Sequence, residues 1–229
     1  MAAPGGEPAH ERTIVCFGDS NTHGADPDSG ARFPREVRWP VLLASLLGPR
    51  YHVVEEGLNG RTTVRNDPYS PGRNGAEYLQ PCLWSHAPVD LVTIMLGTND
   101  LKAWFAASAV EIAAGAGVLV DLARTSLSGP GDGPPGVLLI CPAPIGPATE
   151  TPETWGFGEG VEKSRRLAPL YRQVAEDRGV AFLDAGEVAA VSQRDGIHLD
   201  ATACRTLAAA VARRVVGILE SGMMAPPTE

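Results

Sequence analysis

Ile14-Val15-Cys16-Phe17-Gly18-Asp19-Ser20 is the stretch from which the rest of the chain can be read outward. Four consecutive apolar residues, Ile14 to Phe17, have the length and character of a strand buried on both faces. Gly18 permits a sharp turn, and Asp19-Ser20-Asn21-Thr22 supplies polar residues that favour the start of a helix. A serine at the carboxyl end of a buried parallel strand stands where open α/β sheets place their ligands. The N–H groups just beyond such a strand can stabilise an anion. The same serine could do no more than cap a helix, because Ser, Thr, Asn and Asp all favour that position.

Downstream, the hydrophobic pattern alternates. Trp39, Leu42, Leu43, Leu46 and Leu47 recur at helical spacing and predict one buried stripe, stopped by Gly48-Pro49. Residues 51–54 predict a second strand, followed by the loop Gly57-Leu58-Asn59-Gly60-Arg61-Thr62-Thr63, an irregular segment over 66–74 and a helix over 75–84. Residues 91–96 form the strongest strand pattern and end in Gly97-Thr98-Asn99-Asp100. A helix follows over 107–125, where Gly115 and Gly117 lower helix propensity and imply close packing against a neighbour. Residues 137–141 read as a fourth strand and 180–183 as a fifth, with a helix marked by Leu167, Leu170, Tyr171 and Val174 between them. The Pro-rich stretch 142–160 is long enough to form the wall of an active site. Asp195-Gly196-Ile197-His198 precedes a last helix that packs through Leu207, Val211, Val215 and Ile218. Such alternation predicts a mainly parallel, five-stranded sheet covered by helices on both faces, in one domain over 12–219 between tails 1–11 and 220–229.

The bulk properties narrow the partners. A chain of 229 residues with 44% hydrophobic and 20% charged residues suits one α/β domain with a substantial core. A formal net charge of −8 argues against a nucleic-acid backbone or an anionic membrane as partner. No apolar run reaches membrane-spanning length, and residues 1–10 read as a loose Ala/Pro/Gly-rich tail rather than a signal peptide. Cys16, Cys82, Cys141 and Cys204 lack C-x-x-C spacing and read as buried reduced thiols of a cytoplasmic protein.

A parallel sheet would bring the loops at Ser20, Gly60, Asn99 and 195–198 to one edge. Ser20 offers a hydroxyl nucleophile. Of the five histidines, His198 is the best candidate base, because Asp195 lies three residues earlier and can orient its ring. Gly60 can bring a backbone N–H close to an oxyanion, and Asn99 offers a side-chain amide for the same purpose. Asp19 and Asp100 read as braces of their turns. His23 reads as a polar residue lining the pocket. His52 and His86 have no evident ligand partners and read as structural or surface residues. Asp195, His198 and Asp200 could hold a metal, but no metal-ligand framework accompanies them, and no metal is predicted. Cys141 reads as core. The chain has no G-x-S-x-G or P-loop motif.

Four ordered blocks, Gly18-Asp19-Ser20-Asn21, Asn59-Gly60, Gly97-Thr98-Asn99-Asp100 and Asp195-Gly196-Ile197-His198, resemble those of the SGNH (GDSL-type) hydrolases. With Glu55-Glu56-Gly57-Leu58, Arg61-Thr62-Thr63 and Asn74-Gly75, the resemblance extends to bacterial arylesterases and acyltransferases of that family, over roughly residues 12 to 218. It implies a flavodoxin-like three-layer α/β/α sandwich and a serine esterase of small carboxylic esters, with acyl transfer to alcohols as a second outcome. Ser20 would be the nucleophile, His198 the base and Asp195 its orienting acid, with Ser20, Gly60 and Asn99 as the oxyanion hole. The implied partner is a small-molecule ester, with no cofactor; a homo-oligomer is left open. Where the relatives carry Leu and bulky aromatic residues after the serine, this chain has Asn21, His23 and Ala25. These are the expected substrate-binding positions, and their character predicts a wetter acyl channel that favours water over simple alcohols. Two alternatives stay open: a deacetylase of an acetylated sugar or natural product, and a non-catalytic ligand-binding domain on the same scaffold.

Overall fold

The computed structural model describes residues 11–146, 155–158 and 160–220. Its centre is strand β1 (Arg12–Gly18), whose last five residues are buried. β1 pairs in parallel with β2 (Tyr51–Gly57) on one side and β3 (Leu91–Met95) on the other. β4 (Gly136–Cys141) and β5 (Ala181–Asp184) extend the sheet beyond β3, giving a five-stranded parallel sheet in the order β2-β1-β3-β4-β5.

Side chains of a strand alternate between faces, so one apolar run can serve two cores. Val15, Phe17, Val92, Ile94 and Leu139 pack with Leu79 and Leu83 of α3 (Gly75–Ser85), Ile112 and Leu119 of α4 (Ala109–Thr125) and Tyr171 of α6 (Leu167–Arg178), which follows the short α5 (Gly160–Ser164). Ile14, Cys16, Leu138 and Ile140 face the other way, toward Trp39 and Leu43 of α2 (Trp39–Leu47) and Leu207, Val211 and Val215 of α7 (Ala201–Glu220). This is the expected three-layer sandwich. Each fully buried large side chain contributes about 1.5–3 kcal/mol, which is why the mainly apolar runs of β1 and β3 make them internal strands. No helix among the described residues is long and apolar enough to cross a membrane.

The register positions the site. Gly18 lies opposite Gly57 on one side and Met95 on the other. The loops that follow β1, β2 and β3 therefore leave the sheet at one level and meet at its carboxyl edge.

Several local readings shift. The stripe of α2 is narrower than its spacing predicts: Trp39 and Leu43 are buried, but Leu46 is 58% exposed. β2 continues through Glu55 and Glu56, because an edge strand has one side free and tolerates polar residues. α4 starts at Ala109 rather than at 107, set by a capping box in which Ser108 Oγ accepts from Glu111 N and Glu111 Oε2 accepts from Ser108 N. Within α4 the glycines do permit close approach: a Cβ on Gly115 would stand 2.5 Å from Thr63 Oγ1. The loop over 142–160 lies partly outside the described residues, as do most of the two tails.

Candidate active site

Ser20 opens a single helical turn, α1 (Ser20–His23), directly after β1. Gly18 makes that turn possible, since a Cβ there would lie 2.0 Å from Thr22 Oγ1. Asp19 Oδ1 accepts from Asn21 N at 2.9 Å, the predicted bracing role. Burial raises the Asp19 carboxyl to about 6.

The segment before α7 is shaped by one carboxylate. Asp195 Oδ1 accepts from Ile197 N and His198 N, both at 2.9 Å, and this turn sets Oδ2 against His198 Nδ1 at 2.6 Å. The other ring nitrogen, His198 Nε2, lies 3.0 Å from Ser20 Oγ. Burial pushes the Asp195 carboxyl up, but hydrogen bonds from the His198 ring and from two backbone N–H groups outweigh it and hold the group below its ordinary value. Asp195 therefore stays ionised beside the ring. An ionised acid on Nδ1 fixes the tautomer that leaves Nε2 able to take a proton from the serine.

Serine and histidine are 178 positions apart, and the side chain of Asn21 fastens one to the other. Its Oδ1 accepts from Leu199 N at 2.9 Å and its Nδ2 donates to Ile197 O at 3.3 Å, on either side of His198. Asn21, an expected substrate-binding position, thus has its amide engaged with backbone and is not among the residues that line the cavity. His23 is not among the lining residues either. It packs behind the nucleophile turn against Gly57, where a Cβ would lie 2.1 Å from His23 N, and its carbonyl accepts from Arg32 Nε at 2.8 Å. Burial, then the nearby Arg32, lower its affinity for a proton. Ala25 alone of the three lies on the cavity wall.

Three donors face the Ser20 side of the cavity. Among the described residues, the backbone N–H groups of Ser20 and Gly60 have no protein acceptor. Gly60 has φ +78°, a left-handed conformation suited to glycine. Asn99 Nδ2 donates to Arg61 O at 3.1 Å, which orients the amide and leaves its second hydrogen free. Two ties hold these loops together. Asp100 accepts from Thr63 N at 2.9 Å and from Thr63 Oγ1 at 2.5 Å, so it braces the loop after β2 rather than only its own turn. Burial raises the Asp100 carboxyl to about 6. Arg61 Nη1 donates to Gly18 O at 2.9 Å and also to Glu56 O, while its guanidinium stacks 4.2 Å from the centre of the Phe17 ring.

Ser20, Gly60, Asn99 and His198 line one cavity of about 1060 Å³. Asp26, Ser29 and Asn59 make part of its wall polar, and Tyr69, Trp104, Trp155 and Phe157 make part of it aromatic. Trp155 sets its ring edge-on to His198 at 5.9 Å. Trp155 and Phe157 come from the 142–160 stretch, whose described residues thus contribute to the wall as expected. Tyr69 and Trp104, which pack edge to face at 5.3 Å, were not singled out from sequence. Tyr69 sits in a polar, irregular stretch and Trp104 in a short 3-10 turn, and neither has a periodicity to mark it.

The remaining metal-donor candidates lie away from the triad. Asp200 does not join Asp195 and His198; its Oδ1 accepts from Thr202 N and Ala203 N at the start of α7. His86 is not partnerless, because Nε2 lies 3.0 Å from Glu56 Oε1 and the Cys82 thiol is close by. Burial, then Glu56, push that thiol up to about 12. All four cysteines are free and buried, with Cys141 in the core as read.

The chain matches the family described as GDSL-like lipase/acylhydrolase over residues 16–205. No curated protein sequence matches it. Among solved structures, an aryl esterase from M. smegmatis is 43% identical, with a TM-score of 0.86 over 91% of this chain and 100% of that one. A carbohydrate acetylesterase from Sinorhizobium meliloti is 41% identical, with a TM-score of 0.86 over 90% of this chain and 99% of that one. A family match across most of the sequence, a shared fold and all four ordered blocks at one sheet edge lead to one conclusion: this chain belongs to the GDSL-like lipase/acylhydrolase family.

Proposed function

We propose that the protein is a serine esterase that cleaves small carboxylic esters through an acyl-enzyme on Ser20. One observation carries this reading: Ser20 Oγ, the His198 ring and the Asp195 carboxylate form a continuous chain at 3.0 and 2.6 Å. Ser20 Oγ attacks the ester carbonyl carbon while His198 Nε2 takes the hydroxyl proton. The negative charge that develops on the carbonyl oxygen is held by Ser20 N–H, Gly60 N–H and the free hydrogen of the Asn99 amide. Asp195 stabilises the imidazolium and stays ionised. Collapse breaks the bond to the alcohol oxygen, which leaves with the proton from His198. Water then attacks the acyl-enzyme, gives its proton to His198 and releases the acid, and the proton returns to Ser20. An alcohol that reaches the carbonyl before water gives transfer instead, by the same steps.

The reading is tested by hydrolysis of 4-nitrophenyl acetate. Ser20→Ala should abolish turnover above the uncatalysed rate while leaving the fold intact. Undiminished activity in that variant would remove Ser20 from the mechanism and revive the view of a non-catalytic binding scaffold.

A second reading, deacetylation of an acetylated sugar, is favoured by the size and mixed lining of the cavity. A space of about 1060 Å³ with carboxylate and hydroxyl groups beside exposed aromatic rings suits a bulky polar leaving group. It also accords with the acetylesterase relative. A higher kcat/KM for sugar acetates than for aryl acetates would favour it. We also propose a cytoplasmic location, supported by four free, buried thiols; recovery of the active protein from the culture medium would contradict this.

A further inference from the structure

We propose that Arg73 makes this site selective for esters that carry a second, anionic group, a carboxylate above all. The inference rests on the esterase reading above and concerns which ester the cavity takes. Arg73 lines the cavity beside Asn59 and Gly60. Its Cδ and Nε lie 3.7 Å from the point where a side chain on Gly60 would begin, which places the arginine side chain beside the oxyanion donor. The backbone of Arg73 is pinned: its carbonyl accepts from Thr62 N at 2.9 Å and from Thr62 Oγ1 at 3.2 Å.

The other charged groups of the wall already have partners. Lys102 Nζ is 3.6 Å from Asp67 Oδ2, and Arg194 Nε is 3.8 Å from Asp28 Oδ1. Asp26 accepts from Ser29 Oγ and from Asp28 N, and Asp195 holds His198. Among the described residues the Arg73 guanidinium has neither a hydrogen-bond acceptor nor a carboxylate partner. A partly buried arginine whose donors meet no acceptor among the described residues, on a fixed backbone at the cavity wall, is matched by the paired oxygens of a carboxylate. The chain is acidic as a whole, but charges farther away than about 10 Å are screened at ordinary salt. The local cation decides.

The anionic group could sit on the leaving arm or on the acyl arm, and matched ester pairs separate the two. On the leaving arm the pair is 4-acetoxybenzoate and its methyl ester; on the acyl arm it is the mono-4-nitrophenyl ester of adipic acid and its methyl ester. Each substrate is compared with itself between wild type, Arg73→Gln, Arg73→Ala and Arg73→Lys, so intrinsic reactivity cancels. On one arm, the anionic-to-neutral ratio of kcat/KM should fall about ten- to a hundredfold in Arg73→Gln and Arg73→Ala, the equivalent of one charge-assisted hydrogen bond. Arg73→Lys should fall between, and the wild-type preference should shrink as salt rises. An unchanged ratio on both arms, or equal loss on anionic and neutral members, would overturn the proposal; equal loss would mean that Arg73 serves the oxyanion rather than the substrate's charge.

Calorimetric binding of both ester pairs to Ser20→Ala reads the same preference, on the arm that shows it, without turnover. It should disappear in Ser20→Ala/Arg73→Ala, and its persistence there would also overturn the proposal. Failure of the wild type to hydrolyse any of the esters, with Arg73-dependent binding intact, would instead sink the esterase reading.

Discussion

Asn21→Ala is the substitution that separates holding the site together from performing its chemistry. The amide of Asn21 joins the nucleophile turn to the residues on either side of His198, at 2.9 Å to Leu199 N and 3.3 Å to Ile197 O. Both neighbours are 3% exposed, so water cannot readily replace the lost partner. A buried polar group left unpaired costs about 1–3 kcal/mol, and the shorter bond to Leu199 N dominates because the contact to Ile197 O is long. The expected loss of stability is therefore about 1–3 kcal/mol, or roughly 2–10 °C in Tm for a chain of this size. Catalysis should suffer as well, because His198 loses its anchor across the site. Urea unfolding measures the first effect, and steady-state kinetics on 4-nitrophenyl acetate measure the second. We expect a roughly tenfold fall in kcat with KM little changed, since Asn21 does not line the cavity. A variant with native stability and native kcat would refute the bridging role. A rise in KM alone would restore Asn21 to the substrate wall.

Asn99→Ala should lower kcat about 10²–10³-fold, as expected for one oxyanion donor; near-native kcat in a folded variant would mean that the amide is aimed elsewhere. Asp100 supplies a pH test with a definite sign. Its carboxyl is held at about 6 by burial, above the ordinary carboxylate range, so the folded state binds its proton more tightly than the unfolded chain does. That contribution to stability is fully present at pH values below the ordinary carboxyl range and is lost as pH rises through about 6, at about 1.4 kcal/mol per pKa unit. Asp100→Asn should therefore compare more favourably with wild type at pH 7.5 than at pH 4, as read by Tm; the opposite trend would contradict the assignment. In acyl transfer, the wild type should give mostly acid from an activated acetate in dilute aqueous benzyl alcohol. Ala25→Trp should move the product ratio toward the new ester, while His23→Trp should not, because only Ala25 faces the cavity. A shift with His23→Trp alone would place residue 23 back on the wall.

Much of the architecture was legible because burial writes a plain signal. The apolar runs at 14–17 and 91–95, the second broken only by Thr93, read as interior strands, and the turns after them had to meet at one edge of a parallel sheet. The spacing of Asp195 and His198 foretold a short-range contact that any turn of that length would permit. Polar side chains were harder to place, since an amide next to a nucleophile can face substrate or backbone with equal chemical sense. Asn21 faces backbone because Leu199 N–H would otherwise be buried without an acceptor. The pairing of His86 with Glu56 depends on how α3 lies over the end of β2, which no local pattern reports. Tyr69 and Trp104 were hidden for the same reason: their contact joins two segments well separated in the sequence.

The central claim, that an activated Ser20 carries the acyl group, is tested most directly by trapping it. The protein is treated with phenylmethylsulfonyl fluoride, and adduct stoichiometry by intact mass is followed with residual esterase activity. Peptide mapping then locates the modified residue. The account predicts a single adduct on Ser20, formed in step with the loss of activity and absent from Ser20→Ala. Inactivated enzyme with its adduct elsewhere and Ser20 unmodified, or full activity with Ser20 fully sulfonylated, would contradict it.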